Sequence, residues 1–417
     1  MDITESKAFI FKNEKIGGII SALWETVFFM LFLYAFFYQT VFKPINGAMI
    51  VLSVLCTGCM CIDMLFRGGD YIANTAITYK NMGIILVFVL SSMFTSRFTS
   101  TRVAYSNLTG QKMLEYALVA TSLYVYLILH PGRFSRIMIY IILPIVLLAL
   151  RAITSGTETT SFGAIGLEEL NVNVMSSMFL MALFCIIVLI PRNKAYNILL
   201  LAAILILAYA QIRSASRRGF LVMAFFILAT IVWGIAPFNR KKSALEKIAF
   251  NFFTFLILAI AVILISEYVL NDTALGKRLL LKNTSGDVLR KKYQAVAWEL
   301  FLAKPVLGAG LSGVTNKIGV YSHSMYYELL ACTGILGTVI LSYFFIRTGA
   351  DLYKKSKADG YMYGADNFLI RETFVFLLCL IVSGAAVVMI YDMYFYIWVA
   401  IIKAIEKNAD EVFLRRQ

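Results

Sequence analysis

An all-α, polytopic integral membrane protein is the fold class this sequence predicts, on three observations. Of its 417 residues, 60% are hydrophobic and only 15% charged, with a mean hydropathy of +0.79, well outside the balance of soluble domains. Apolar stretches long enough for membrane helices recur from end to end. The short alternating segments of an outer-membrane barrel are absent.

Taken in order, the apolar runs predict spans near 17–38, 45–66, 81–96, 114–130, 136–150, 172–190, 195–211, 218–236, 248–270, 324–346, 371–389 and 391–405. That is about twelve helices. The opening MDITESKAFIFKNEK has no cleavable-signal pattern, and Lys7, Lys12 and Lys15 beside the first span favour an inside N-terminus. An even count then puts both termini on the cytoplasmic side. Arg192 and Lys194, the run Arg240, Lys241 and Lys242, and Lys354, Lys355 and Lys357 all fall inside under this registration. Arg97, Arg102 and Lys112 fall outside, so either the third and fourth spans are misplaced or these cations have outside work.

The six cysteines lie in apolar spans, so neither a disulfide framework nor a metal site is expected. The CTGCMC cluster at Cys56, Cys59 and Cys61 has no nearby histidine and reads as helix packing. No repeat and no soluble domain interrupt the chain, so residues 1–417 read as one transmembrane domain. Within it, a polar stretch at 271–322 reads as a long outer-face loop.

The net charge is +14, and part of it sits where orientation alone would not put it. The outer loop carries Lys277, Arg278, Lys282, Arg290, Lys291, Lys292, Lys304 and Lys317 against Asp272, Asp287 and Glu299. Such an excess suits an anionic substrate or lipid, or else a solvated loop surface. Within the loop, DVLRKKYQAVAWELFLAKP predicts an amphipathic helix with Leu289, Tyr293, Val296, Ala297 and Leu300 on one face, ended by Lys304 and Pro305. It should lie across the membrane surface or over a cavity. Asp287 suits its N-terminus, whereas Arg290 in the first turn opposes the helix dipole unless an anion is also present. A phosphate would relieve that mismatch.

Three arginines, Arg213, Arg217 and Arg218, crowd the run RSASRRGF at the mouth of the eighth span. An arginine at a helix mouth often snorkels, as Arg213 is free to do, but Arg217 leaves a serine-rich turn and enters the bundle. Its forked donors suit phosphate oxygens. His323, one of two histidines, opens SHSMYYELLACTGILG, where Ser322 or Ser324 can cap the helix. It is placed as a general base, with Tyr326 and Tyr327 three and four residues on to orient the imidazole or line a sugar site. His130, before Pro131, reads as structural, and Glu25 and Asp63 carry only weak proton-pathway readings. GAGLSG at 308–313 lacks the lysine and hydroxyl residue of a P-loop and is not a nucleotide site.

The order of SASRRG at 214–219, Arg290 with Pro305 of PVLGAG fifteen residues on, and His323 in HSMYYELLACTGILG resembles the O-antigen polymerase and ligase superfamily. The motifs cover about residues 200–345, with topology extending the likeness over the chain. The resemblance implies a glycosyltransferase acting on undecaprenyl-diphosphate-linked glycan, without nucleotide, metal or other cofactor. It maps Arg217, Arg290 and His323 onto the catalytic positions, with Ser324 where the family commonly has asparagine. Arg213, Arg218, Tyr326 and Tyr327 would then bind diphosphate or sugar.

The implied reaction is an inverting displacement at the anomeric carbon. His323 takes the acceptor hydroxyl proton, or binds phosphate as imidazolium, while the arginines neutralise the leaving diphosphate. Polymerisation of lipid-linked repeat units is the first reading and ligation to lipid A core or another final acceptor the second. A flippase for the same lipids is the third, opposed by the lack of a repeated half with interrupted helices and by cations gathered at one face. The expected partners are the lipid-linked glycan, the bilayer and, by resemblance alone, a polysaccharide chain-length regulator, with no nucleic acid. The expected location is the bacterial cytoplasmic (inner) membrane, the active site facing the periplasm or outer side.

Overall fold

The computed structural model describes residues 3–42, 45, 47–67, 69–155, 157–158, 165–166, 171–190, 196–238, 273, 275–276, 285–357 and 365–408. Its helices are α1 (Ile3–Leu33), α2 (Ala48–Arg67), α3 (Gly69–Thr99), α4 (Val103–Leu129), α5 (Phe134–Ser155), α6 (Val172–Leu189) and α7 (Asn197–Ser214). They continue as α8 (Arg217–Phe238), α9 (Ser285–Ala303), α10 (Gly313–Ile318), α11 (Met325–Lys357), α12 (Ala365–Gly384) and α13 (Met393–Asn408). The described strands are two residues each, Thr157–Glu158 against Ile165–Gly166. Among the described residues, seven helical segments are long and apolar enough to cross a membrane: Gly17–Val41, Met82–Thr99, Val103–Leu129, Pro131–Thr154, Val172–Leu189, Asn197–Ser214 and Met325–Lys357. The chain is therefore an all-helical, multi-pass membrane protein.

Helices also stand at the expected second, eighth and twelfth spans, as α2, α8 and α13. The expected span at 248–270 lies outside the described residues. Two boundaries differ from expectation. A turn at residues 100–102 suffices to join α3 to α4, and Lys112 lies inside α4. α12 stops at Gly384, where Ala385 and Ala386 turn back on the carbonyls of Val382 and Ser383. The apolar residues that follow, Ala386 to Ile390, are buried without being helical.

The chain divides into two compact units, each discontinuous in sequence: residues 1–144, 293–348 and 388–417, and residues 145–292 and 349–387. In the first unit, Trp24, Phe28, Phe32 and Phe36 stack four residues apart along α1 and its π-helical continuation Tyr34–Tyr38, with centroids 5.9–6.0 Å apart. Trp24 donates to Ser122 Oγ at 2.9 Å, and Ser122 donates to the Cys56 carbonyl at 2.9 Å. Both hydroxyl and indole are thus satisfied inside an apolar core. Buried Glu25 accepts from Tyr126 at 3.1 Å and Tyr140 at 2.9 Å and pairs with Arg133 at 3.4 Å and Arg136 at 3.6 Å. It faces neighbouring helices, as a carboxylate inside a bundle must.

α11 contains the largest departure from a regular helix. At Gly334 the backbone takes φ 62° and ψ −164°, and the helix breaks. The segment Pro305–Gly310 fills the gap. Ala309 and Gly310 donate to the carbonyls of Ala331 and Cys332 at 2.7 and 3.0 Å, while Ile335 and Leu336 donate to those of Pro305 and Val306 at 2.8 and 3.2 Å. A Cβ on Gly334 would overlap the Val306 carbonyl, so both the positive φ and the close approach require glycine. One interrupted helix therefore exists where the sequence predicts continuity, which weakens that argument against a transporter.

In the second unit, Met175 to Leu189 of α6 are all buried. Phe184 stacks on Phe376 of α12 with centroids 4.2 Å apart, and Phe226 of α8 closes the cluster. Gly219 of α8 lies so close to Ser176 of α6 that a side chain there would overlap it. That contact sets the depth at which the arginine-bearing end of α8 meets α6.

Candidate functional site

The arginine cluster begins with a tight turn. Ser214 ends α7, Ala215 takes φ 52°, and Ser216 leads into α8, whose first two residues are Arg217 and Arg218. Ser214 Oγ donates to the Gln211 carbonyl at 2.8 Å, and Ser216 Oγ donates to Asn173 Oδ1 at 2.8 Å. The serines fix the turn locally and against α6. A left-handed residue there delivers two adjacent arginines at the start of the next helix.

Arg217 donates through one terminal nitrogen to both oxygens of Asp287, at 2.8 and 3.1 Å. Arg290 donates to Asp287 Oδ1 at 3.4 Å from one turn further along α9. Arg217 and Arg290, expected as separate phosphate donors, thus share one carboxylate. Arg218 lies within electrostatic reach of Arg217, Arg290 and Asp287, and donates to the Ala385 carbonyl at 3.4 Å. It also borders a cavity of about 200 Å³ with Asn173, Ser177, Gly219, Ser383 and Ala385. Arg213 is exposed in the last turn of α7, where a cation complements the helix dipole.

The helix begins at Ser285, so Arg290 falls in the second turn of α9, and the anion beside it is Asp287 in the first, a residue of the chain itself. The sequence reading assigns Asp287 only to the helix end. Its tie to Arg217 spans seventy residues and has no local signature. The available signal is a lone acid three residues before the loop arginine, in a segment otherwise crowded with lysine and arginine.

α9 covers Ser285–Ala303, against an expected helix over 287–305. Ala297 packs with Val314, Ala331 and Cys332, and Leu300 joins them. Tyr293 and Val296 are half-buried, but Leu289 is 48% exposed and does not belong to the buried face. Leu289 lies in the first turns, before the helix acquires this packing partner.

His323 lies in the first unit, in a second tight turn. It takes φ 58°, a conformation that costs a histidine roughly 1 kcal/mol. Two rings flank its imidazole: Tyr293 of α9, nearly parallel with centroids 5.8 Å apart, and Tyr321, at 4.6 Å. Tyr326 and Tyr327, expected to orient the imidazole, are 40% and 37% exposed in the first turn of α11. With His323 left-handed and ahead of α11, the rings beside it include its near neighbour Tyr321 and, from α9, the distant Tyr293.

Glu328 holds the turn and was missed by sequence reasoning. It is fully buried and accepts the Ser322 N–H at 2.8 Å. Tyr391 and Cys332 donate to its other oxygen, each at 3.4 Å, and Ser312 N–H donates to Tyr391 Oη at 3.1 Å. Ser322 Oγ donates to the Ser324 carbonyl at 2.8 Å, and that carbonyl also accepts the Glu328 N–H at 3.0 Å. The signal was a single carboxylate in an apolar helix, which rarely sits there without work to do. Ser324 is buried and supplies this cap through its backbone carbonyl.

No family model and no curated protein matches the chain. A chain from a solved structure described as the structural coordination of polymerization and crosslinking by a peptidoglycan synthase complex is similar to it, with a TM-score of 0.42 and 13% identity. The match covers 80% of this chain and 98% of that one. That degree of likeness assigns neither fold nor function.

Proposed function

We propose that the protein is a membrane glycosyltransferase that polymerises polysaccharide. It would transfer a growing glycan from undecaprenyl diphosphate onto the sugar of an incoming lipid-linked repeat unit, for O-antigen, capsule or exopolysaccharide. The observation that carries the reading is the gathering of Arg217, Arg218 and Arg290 near the carboxylate of Asp287, three positive charges to one negative among the described residues of this cluster. Charge of that sign and number suits a diphosphate, whose leaving group gains negative charge as the glycosidic bond breaks.

In this reading Arg217 and Arg290 bind and neutralise the diphosphate, Arg218 adds a third donor, and Arg213 attracts the anion from its exposed position. His323 takes the proton of the attacking hydroxyl, with Tyr326 and Tyr327 offering exposed rings for sugar. One direct displacement inverts the anomeric centre, and no metal or nucleotide enters any step. The proposed setting is a bacterial cytoplasmic membrane with about twelve spans, both termini inside, and the site on the outer face. A chain-length regulator is the proposed protein partner. Ligation to a final acceptor uses the same donor chemistry and differs in the acceptor alone.

The test is polymer formation in liposomes from purified undecaprenyl-diphosphate-linked repeat units, without nucleotide and with chelator. The parent should give a ladder. Arg217→Ala and Arg290→Ala should each lower the rate about a hundredfold, equivalent to ~3 kcal/mol of transition-state stabilisation. His323→Ala should abolish the ladder, and one surviving that change removes the general-base role. A parent that makes no ladder from authenticated substrate overturns the polymerase in favour of ligase or flippase assays.

A further inference from the structure

Asp287 takes the place that the proposed function gives to substrate. It receives Arg217 on both oxygens and Arg290 on one, and its carboxylate is the acidic partner that Arg218 also feels. The side chains of Arg217, Asp287 and Arg290 are 27%, 25% and 28% exposed, so water and a polar ligand reach all three. An ion pair that open to solvent is weak. Asp287 also stands in the first turn of α9, where the dipole favours an anion. Arg217 and Arg290 thus meet on one carboxylate, with Arg218 within its electrostatic reach, so among the described residues of the cluster positive charge outnumbers negative.

We propose that Asp287 is a resident counter-anion that a lipid-linked diphosphate displaces from Arg217 and Arg290, and that re-pairs with them when the diphosphate product leaves. The inference rests on the diphosphate reading of the arginine cluster. A diphosphate brings more negative charge and more acceptor oxygens than one carboxylate, so it competes successfully for the same forked donors. While paired to Asp287 the arginines are less available, and the apparent affinity falls by the fraction of time they are released. Asp287 is a positioning residue in this scheme. It keeps the arginines assembled in the empty protein and limits how tightly the product is held.

The experiment measures binding of farnesyl diphosphate to the full-length protein in nanodiscs. Asp287→Asn should bind about tenfold tighter than the parent, a gain of roughly 1.4 kcal/mol. Asp287→Glu, which keeps the charge, should stay near the parent. Glu299→Gln removes one negative charge from an exposed position on the same helix and should change affinity less than twofold. Affinity in Asp287→Asn equal to or below that of the parent, with parental binding still lost in Arg217→Ala, overturns the counter-anion role and leaves the diphosphate reading standing. An equal gain in Glu299→Gln also overturns it, since the effect would then be general charge. Parental binding that is absent, or indifferent to Arg217→Ala, overturns both.

Discussion

Two turns of the same design are secured in opposite ways. Ser214–Ala215–Ser216 and Ser322–His323–Ser324 each place a left-handed residue between two serines just before a helix. In each, the N–H of the second serine approaches the first serine's oxygen at 3.4 Å. In the first, alanine bears the strain and Arg217 and Arg218 follow it. In the second, the histidine is itself the strained residue. The arginine turn ends in partly exposed charges paired to a partly exposed carboxylate. The histidine turn sits on a buried carboxylate bonded to Ser322, Cys332 and Tyr391. Under the proposed function, charge offered to a passing anion can be left loose, whereas a proton acceptor that must meet one hydroxyl is held by a stiff support.

The support under His323 should give the largest effect when removed. Glu328→Ala leaves the buried Ser322 N–H without its acceptor and should destabilise the protein by about 2–3 kcal/mol. A lowered thermal midpoint in detergent would register it, with Glu328→Gln losing less because its amide oxygen can still accept. A midpoint unchanged in Glu328→Ala would show that the two turns are equally soft.

A smaller change separates strain from function. His323→Gly and Ala215→Gly each relieve a left-handed residue, offset in part by the freedom glycine gives the unfolded chain. Each should raise stability by up to about 1 kcal/mol. Polymer formation should vanish in His323→Gly and persist in Ala215→Gly. Loss of activity in both, or in neither, would erase the distinction between the turns.

Much of this was legible in the sequence because it is local. Apolar run length located the helices from α1 to α8, and the spacing around Tyr293, Ala297 and Leu300 located α9 within two residues. Arg217 was singled out by its place after a serine-rich turn at a helix mouth and Arg290 by its clash with the dipole of the predicted loop helix, and the structure brings both to Asp287. What the sequence hid was non-local or conformational. Tyr293 reaches His323 from another helix. The positive φ at His323 upset a register argument that assumed a helix beginning at that residue. Gly334 lies in an apolar run that hydropathy reads as continuous, since a glycine inside a membrane helix is usually tolerated.

The pairing of Pro305–Gly310 with the broken end of α11 also changes what counts as structured in this chain. Sequence and helix boundaries alike write that segment as a connection, yet the amides of Ala309 and Gly310 donate across the break at 2.7 and 3.0 Å, and the carbonyls of Pro305 and Val306 accept from its far side at 2.8 and 3.2 Å. In amide hydrogen exchange it would form an island of protection inside a loop, with Ala309 and Gly310 opening only when α11 itself opens. The partners lie close in sequence, so this knot can close early and locally, before distant helices have found one another. The break in α11 and the segment that fills it would then be among the first parts of the protein to reach their final form.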